Sequence, residues 1–454
     1  VDLGGLHLPD LLTFLLAASW LTGFALQRIR PGSHSGPLDR ECWNTPPYLA
    51  LTMLALLLAM LLSTTTTSGL ELSIKELVKW LEVLIILFLG LQYIRTRRQI
   101  WLLLTMVLLA GISQSLYGYA QSFFSLGPTS FMRDESLRVY GTFDQPNPYS
   151  GYINMSLSIA IALTLFAGDW KTRILAGITT PLLAVAVFLS QSKGGELALA
   201  IALALIITLG PPRLRLWIGA ASIAVLCLVG AYLGGLIPDT ILFPIFKKAG
   251  LTQLSFTIPR NYNYANSERL AHWVAGIHMF LDHPLLGVGI GNYATAYPHY
   301  ALGIFVLPLG HAHNYYINIA AEAGIFGLLT LLFFLGAIFL ASARSYRAIN
   351  RLWAHLKTHR ARPHPGTSTR EADMTLTQYR LLSNDRALAI GLLGALLAVC
   401  AHNLVDNLYV HSMTNLFALL IVMLLALKNT RNTQIHASVE PSNSGAVKHS
   451  TTRN

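Results

Sequence analysis

Run after run of apolar residues, most of them long enough to cross a hydrocarbon layer of about 30 Å, dominates this chain. A water-soluble fold has no use for so many. Only 12% of the residues are charged and 53% are hydrophobic, with a mean hydropathy of +0.51. Soluble domains carry roughly 25% charged residues. These numbers exclude collagen-like, disulfide-framework and disordered classes and predict an all-α polytopic membrane protein. The spans must be helical, because an isolated strand leaves its backbone groups unpaired in hydrocarbon.

Eleven spans fit the pattern, at 8–27, 47–62, 77–94, 99–120, 149–168, 174–190, 196–210, 216–236, 314–341, 386–407 and 411–428. The run at 196–210 is short and the run at 314–341 is long, which implies tilt or helical extension beyond the lipid. Alternate connections differ sharply in Lys and Arg: one set holds 22 and the other 8. By the positive-inside rule the first set is cytoplasmic. The net charge of +11 therefore reports orientation, and no nucleic-acid partner is expected. The topology leaves residue 1 outside, and the chain begins with Val; one further N-terminal helix, giving twelve in the full-length protein, is the expectation. No signal peptide is visible.

The division that follows is 1–236 for the first eight spans, 237–313 for a large outward-facing loop, and 314–428 for the last three spans. A basic cytoplasmic loop at 342–385, suited to touching anionic lipid, lies within the last of these. The polar tail 429–454 is expected to be disordered and cytoplasmic. The large loop carries Trp273, many Tyr and Gly-rich turns, which argues against disorder and for short helices and function. Cys42, Cys227 and Cys400 are far apart and show no metal-ligand spacing, so neither a disulfide framework nor a zinc site is read.

The cations that break the positive-inside pattern carry the chemistry. Arg138 stands in Leu137-Arg138-Val139-Tyr140-Gly141-Thr142-Phe143, before Pro146-Asn147-Pro148. Lys193 occupies the turn Gln191-Ser192-Lys193-Gly194-Gly195. Arg269 opens a surface helix for which Ser267 is the candidate N-cap. In that helix Leu270, Trp273, Val274, Ile277 and Leu281 recur at helical spacing, an apolar stripe for the membrane or the bundle. A local cation–π pair of Arg269 with Trp273 is the alternative to a binding role. Three cations from separate loops at one membrane face suit a shared anionic ligand such as a diphosphate, to which Arg makes forked bonds.

Gly310-His311-Ala312-His313-Asn314-Tyr315-Tyr316 leads into a span containing Glu322, Gly324 and Gly327. A histidine there can take a proton near neutral pH. The spacing of His311 and His313 also admits a metal reading, disfavoured because no carboxylate or cysteine cluster accompanies them in sequence. His402, Asn403, Asp406 and Asn407 are expected to share one face of a helix end, orienting the site or packing on Glu322 or a loop arginine. Lys79 and Glu82 read as a local pair.

Those stretches resemble the Wzy/WaaL superfamily of bacterial envelope glycan polymerases and ligases. The resemblance rests on Arg138-Val139-Tyr140-Gly141-Thr142-Phe143 with Pro146-Asn147, on Ser192-Lys193-Gly194, and on Arg269-Leu270-Ala271-His272-Trp273. It rests also on Asp282-His283-Pro284-Leu285-Leu286-Gly287-Val288-Gly289-Ile290-Gly291-Asn292, on His311-Ala312-His313-Asn314, and on Glu322-Ala323-Gly324-Ile325-Phe326-Gly327. It implies an inner-membrane enzyme of the bacterial envelope that moves a glycan from an undecaprenyl-diphosphate carrier to an acceptor hydroxyl on the periplasmic face. The acceptor is lipid A–core for an O-antigen ligase in lipopolysaccharide biosynthesis, which is the preferred expectation. It is a second carrier-linked repeat for a polymerase, and protein Ser or Thr for an oligosaccharyltransferase. Carried over by motif, the diphosphate role falls on Arg138 and Arg269 and the acceptor-activating role on His313; Lys193 joins the first by its place, His311 is the second choice for the other, and Asn314, Glu322, His402 and Asp406 are read as supporting residues. Where the family commonly has Ser-Arg-Gly, this chain has Ser192-Lys193-Gly194, which keeps the charge and loses the planar fork. The implied transfer is direct and inverting, with no metal and no cofactor. The competing classes are a lipid-linked glycan transporter, disfavoured because no internal repeat is evident and the notable residues sit at span ends, and a non-catalytic scaffold.

Overall fold

The computed structural model describes residues 8–29, 45–133, 135–211, 251–258, 263–361 and 369–439, with scattered residues between 215 and 247. The helices in order are α1 (Leu8–Ile29), α2 (Pro47–Ser63), α3 (Leu70–Tyr93), α4 (Arg97–Phe124), α5 (Pro146–Phe166), α6 (Trp170–Leu189), α7 (Lys193–Thr208), α8 (Tyr264–Asp282), α9 (Tyr315–Ala361), α10 (Thr369–His402) and α11 (Met413–Val439). A small hairpin, β1 (Met132–Arg133) with β2 (Ser136–Leu137), leads to Arg138. Helices stand at ten of the eleven predicted span positions, and the span 216–236 falls mostly outside the described residues. Six stretches among the described residues are long and apolar enough to cross a membrane: Pro47–Thr66, Arg97–Phe124, Pro146–Phe166, Trp170–Leu189, Tyr315–Arg360 and Glu371–His402. The chain is an all-α membrane protein.

Helix α2 shows why. Its buried face is Leu49, Met53, Leu56 and Met60, while Leu51, Leu54, Leu58 and Leu61 on the other face are exposed. A helix apolar all round satisfies both protein and lipid. The bundle is organised around α10, whose apolar window is 94% buried, against 28% for the windows of α4 and α6. α10 packs on α5, α7, α9 and α11. Local signals set the helix starts: Thr96 and Gln99 form a capping box on α4, Asp169 accepts the Thr172 N–H, and Ser192 accepts the Gly195 N–H.

Several expectations are corrected. The basic loop 342–385 is mostly helix, as extensions of α9 to Ala361 and of α10 from Thr369. α11 runs to Val439 through residues without Gly or Pro, so the first part of the expected disordered tail is helical; 440–454 lies outside the described residues. Lys79 donates to Glu76 at 2.6 Å and to the Tyr409 carbonyl at 2.8 Å, not to Glu82, which accepts from Asn415. α8 begins at Tyr264, so Ser267 lies inside the helix and accepts the Ser255 N–H.

α9 is not continuous. Gly324 adopts φ 62°, ψ −160°, and the helix breaks there. The freed backbone groups are taken by the glycine-rich segment 284–289: Val288 N–H donates to the Ala321 carbonyl (2.9 Å), Gly289 N–H to that of Glu322 (3.0 Å), and Ile325 N–H to that of Pro284 (2.8 Å). Ser63 adds a hydroxyl bond to the Glu322 carbonyl at 2.6 Å. An unwound helix at membrane depth is tolerated only where protein re-satisfies it. The fit is tight enough that a Cβ on Gly324 would strike the Leu285 carbonyl. Gly324→Ala is expected to lower stability by roughly 2 kcal/mol or more, from the clash together with the left-handed φ. Gly336→Ala, where a Cβ meets nothing within 4 Å, should be neutral or stabilising. Thermal unfolding of the two variants in detergent checks the contrast.

Candidate functional site

His311, Ala312 and His313 form the last turn before α9. Asn314 caps that helix, its Oδ1 accepting the N–H groups of Tyr316 (3.0 Å) and Ile317 (3.1 Å). The Tyr315 N–H reaches across to the carbonyls of Asn403 (2.9 Å) and Asp406 (3.2 Å), which ties the His segment to the end of α10. That end differs from expectation. The helix stops at His402, and Asn403–Asn407 fold into a turn because side chains take over its backbone donors: Asn403 Oδ1 accepts the Leu408 N–H, and Asn407 Oδ1 the Tyr409 N–H.

The turn aims Asp406 at the histidines. Its Oδ1 lies 3.4 Å from His313 Nδ1 and 3.9 Å from His311 Nε2, and it also accepts the Asn407 N–H at 2.9 Å. Its Oδ2 accepts from Asn147 Nδ2 at 2.5 Å. Asn147 in turn accepts from Arg138 Nη2 at 3.2 Å, and Arg138 Nε donates to the Ser190 carbonyl at 3.1 Å. One polar chain thus runs Arg138, Asn147, Asp406, His313 through three separate loops.

His313 is held on every side. It adopts φ +51°, a left-handed conformation that costs a non-glycine residue roughly 1–2 kcal/mol. Its N–H donates to His311 Nδ1 at 3.0 Å, and its carbonyl accepts Trp273 Nε1–H at 3.1 Å. The Trp273 indole N–H is therefore engaged with the His313 carbonyl. Because Asp406 accepts from Nδ1, His313 Nε2 is the nitrogen left with a lone pair. The ring keeps 16% of its surface exposed.

Arg269 and Lys193 line a cavity of about 640 Å³ with Gly194, Leu197, Leu254, Leu270 and Trp273. Lys193 is exposed and pairs with Glu196 at 3.2 Å; Arg269 Nε is buried without a hydrogen-bond partner among the described residues. Arg138 does not line this cavity, but burial first, and then the charges of Arg133 and Arg269, push its guanidinium down to about 10. The three predicted cations converge on one end of the bundle, with Arg138 committed to the polar chain. In α8 the predicted apolar stripe is not the buried face: Ala271, His272, Ala275 and Met279 turn inward, while Ile277 and Leu281 are exposed.

Of the supporting residues, His402 is buried behind Gly194 and packs the α7 turn. Glu322 Oε1 accepts the Tyr293 N–H at 3.0 Å, which ties it to the chain that follows the segment filling the helix break. Asn147, His272 and Glu76 were not singled out from the sequence, and Trp273 was noted there only for its place in the stripe and beside Arg269. Asn147 stood in a quoted motif, and its polarity at a span mouth is the signal that marks it.

His311, His313 and Asp406 offer ligand atoms within 4.8 Å of one another, a carboxylate that sequence spacing did not supply. The hydrogen bonding opposes a metal, however. His311 Nδ1 already accepts the His313 N–H, so in the neutral ring Nε2 carries the proton and points a donor, not a lone pair, at Asp406.

Burial, and then the charge of His313, lowers His311 to about 4; burial, with His313 and His311, lowers His272 to about 4. Burial opposes the Asp406 charge, but the hydrogen bond from His313 and the neighbouring imidazoles outweigh it and hold the carboxyl below its usual range. His272 is fully buried, stacked on Tyr297 at 4.2 Å. Its folded pKa lies below the unfolded value of 6.5, so the unfolded chain binds the proton more readily and stability falls as pH drops through 6.5 toward 4. Between pH 7 and pH 5 the loss from His272 is about 2 kcal/mol. A His272→Gln variant should unfold at a midpoint less dependent on pH over that window, as read by thermal denaturation at each pH.

A search of curated proteins returned no match. Residues 178–332, from within α6 to within α9, match the family model described as O-Antigen ligase. That segment contains Lys193, Arg269, His311, His313 and Glu322, and Asp406 and Arg138 join it in space. A match over that segment supports a place for the chain in the Wzy/WaaL superfamily of O-antigen ligases and polymerases.

Proposed function

We propose that the chain transfers a glycan from an undecaprenyl-diphosphate carrier to an acceptor hydroxyl at the periplasmic face of the bacterial inner membrane. The observation that carries this reading is the pairing of a cation-lined apolar cavity with a histidine whose Nε2 is left open by Asp406. Lys193 and Arg269 offer charge to a diphosphate at the cavity's polar side, and Leu197, Leu254 and Leu270 offer an apolar wall to its polyprenyl chain. Arg269, with a buried unpaired Nε, is the cation most ready for a ligand. Arg138 contributes field to the same place while anchoring Asn147.

The acceptor hydroxyl attacks the anomeric carbon, its proton passes to His313 Nε2, and the bond from that carbon to the diphosphate oxygen breaks. The carrier diphosphate leaves with the electron pair, and a single displacement inverts the centre. The developing charge on the leaving oxygens is met by preorganised cations, which are effective because they need no reorganisation. Asp406 fixes the His313 tautomer and steadies the imidazolium. His311 serves less well as base, since its Nε2 carries the proton and burial disfavours its charged form.

A transporter reading would draw on the break at Gly324, but the freed groups there are bonded by the 284–289 segment rather than facing a passage. Ligase chemistry with a lipid A–core acceptor is our preferred subclass; polymerase and protein oligosaccharyltransferase share the same donor chemistry. In transfer assays of the purified full-length chain with an undecaprenyl-diphosphate glycan, His313→Ala should reduce turnover by roughly 10²–10⁴-fold, the usual worth of a general base. Full activity of that variant sinks the base assignment. Offering lipid A–core, a second carrier-linked repeat and a pilin-like protein in parallel identifies the acceptor by its product.

A further inference from the structure

Trp273 occupies two environments at once. One side of its indole walls the 640 Å³ cavity beside Arg269 and Leu270, and its Nε1–H donates to the His313 carbonyl at 3.1 Å. Arg269 and Trp273 are four residues apart on α8, so they stack one helical turn apart on the same side. Of the three contacts that fix His313, the one to His311 is local and the one to Asp406 comes from the turn after α10. The contact from Trp273 alone comes from a cavity-lining side chain. It bears on the backbone of a residue held at φ +51°, a conformation that non-glycine side chains leave readily once a restraint is lost. A backbone that relaxes there rotates the imidazole off its line to the acceptor, and even small misplacements of a reacting group are costly in rate.

We propose that Trp273 is a positioning residue that couples occupancy of the donor cavity to the aim of His313. A carrier lipid seated against the indole steadies the ring, and the ring steadies the His313 carbonyl, so the base is aligned when the donor is in place. This inference rests on the donor-transfer reading above, and it adds an order to it: donor first, acceptor second. The indole face serves binding, and the indole N–H serves turnover.

The two duties separate experimentally. Trp273→Phe keeps an aromatic wall and loses the donor. In steady-state transfer by the purified full-length chain, it should leave the KM for an undecaprenyl-diphosphate glycan within about twofold and lower kcat by about two- to tenfold, the worth of one neutral hydrogen bond. Trp273→Leu, which also loses the ring, should raise that KM as well. The decisive measurement is the double variant. If Trp273 acts through His313, adding Trp273→Phe to His313→Ala lowers the residual rate no further. An equal loss on both backgrounds, or an unchanged kcat in Trp273→Phe with wild-type thermal stability, overturns the coupling while leaving the transferase reading intact. Absence of transfer by the wild-type chain with every acceptor overturns both.

Discussion

A single buried carboxylate organises this end of the molecule. Asp406 is only 4% exposed, and it receives hydrogen bonds from Asn147, from the Asn407 backbone and from His313. Burying a charge is expensive unless it is paired and fully bonded. The loops that meet at Asp406 supply those bonds, and in doing so they are brought into register. The Arg138 loop arrives through Asn147, and the His311–His313 turn arrives both through the ring of His313 and through the Tyr315 N–H on the Asp406 carbonyl. Removing the carboxylate would leave three partners without their acceptor, so the geometry of His313 and that of Arg138 are one problem rather than two.

The second constraint lies deeper. The glycine-rich segment after α8 fills the break in α9, and Gly287, Gly289 and Gly324 all take positive φ where a Cβ would meet backbone. Asn292 then bonds the Gly69 and Ile290 carbonyls and Ser73, fastening the same segment to the start of α3. α8 follows as a consequence, because its end is fixed by Pro284 and its inner face by Tyr293 and Tyr297. Arg269 and Trp273 therefore stand on a helix pinned at its C-terminal side and facing the His turn. A side chain held this closely by its surroundings would need little reordering to act on a ligand.

Much of this was legible in the sequence, and the reasons for the rest are physical. The spans and the outlying cations were readable because a charge in an apolar chain must be accounted for. The Asn403–Asn407 turn was not, since no Gly or Pro marks it; Asn side chains displaced helical bonds, a competition that spacing alone does not reveal. Lys79 has a glutamate three residues away on either side, Glu76 and Glu82, and helical periodicity treats them alike. Asn415, contributed by α11, decided the matter by bonding Glu82. Ser267 resembled a cap only because the helix start was placed too late. The Trp273 contact joins residues forty apart and has no local signature at all.

Arg269 shows what the fold leaves undone. Arg138 has Asn147 and the Ser190 carbonyl, Lys193 has Glu196, and Asp406 has its three donors. The Nε of Arg269 is buried and bonded to nothing among the described residues. An unsatisfied charged donor costs free energy in the folded state, and local packing offers no gain that requires it. The neighbouring Glu268, whose carboxyl burial raises above its usual range, interacts with Arg269 through charge, but no hydrogen bond reaches the Nε among the described residues. A half-buried guanidinium whose Nε lacks a partner among the described residues, beside a cavity with an apolar wall, is an arrangement that an anion with a hydrocarbon tail would complete. In the transfer reading proposed above, the donor's charge would lie beside Arg269 and its chain along Leu254 and Leu270.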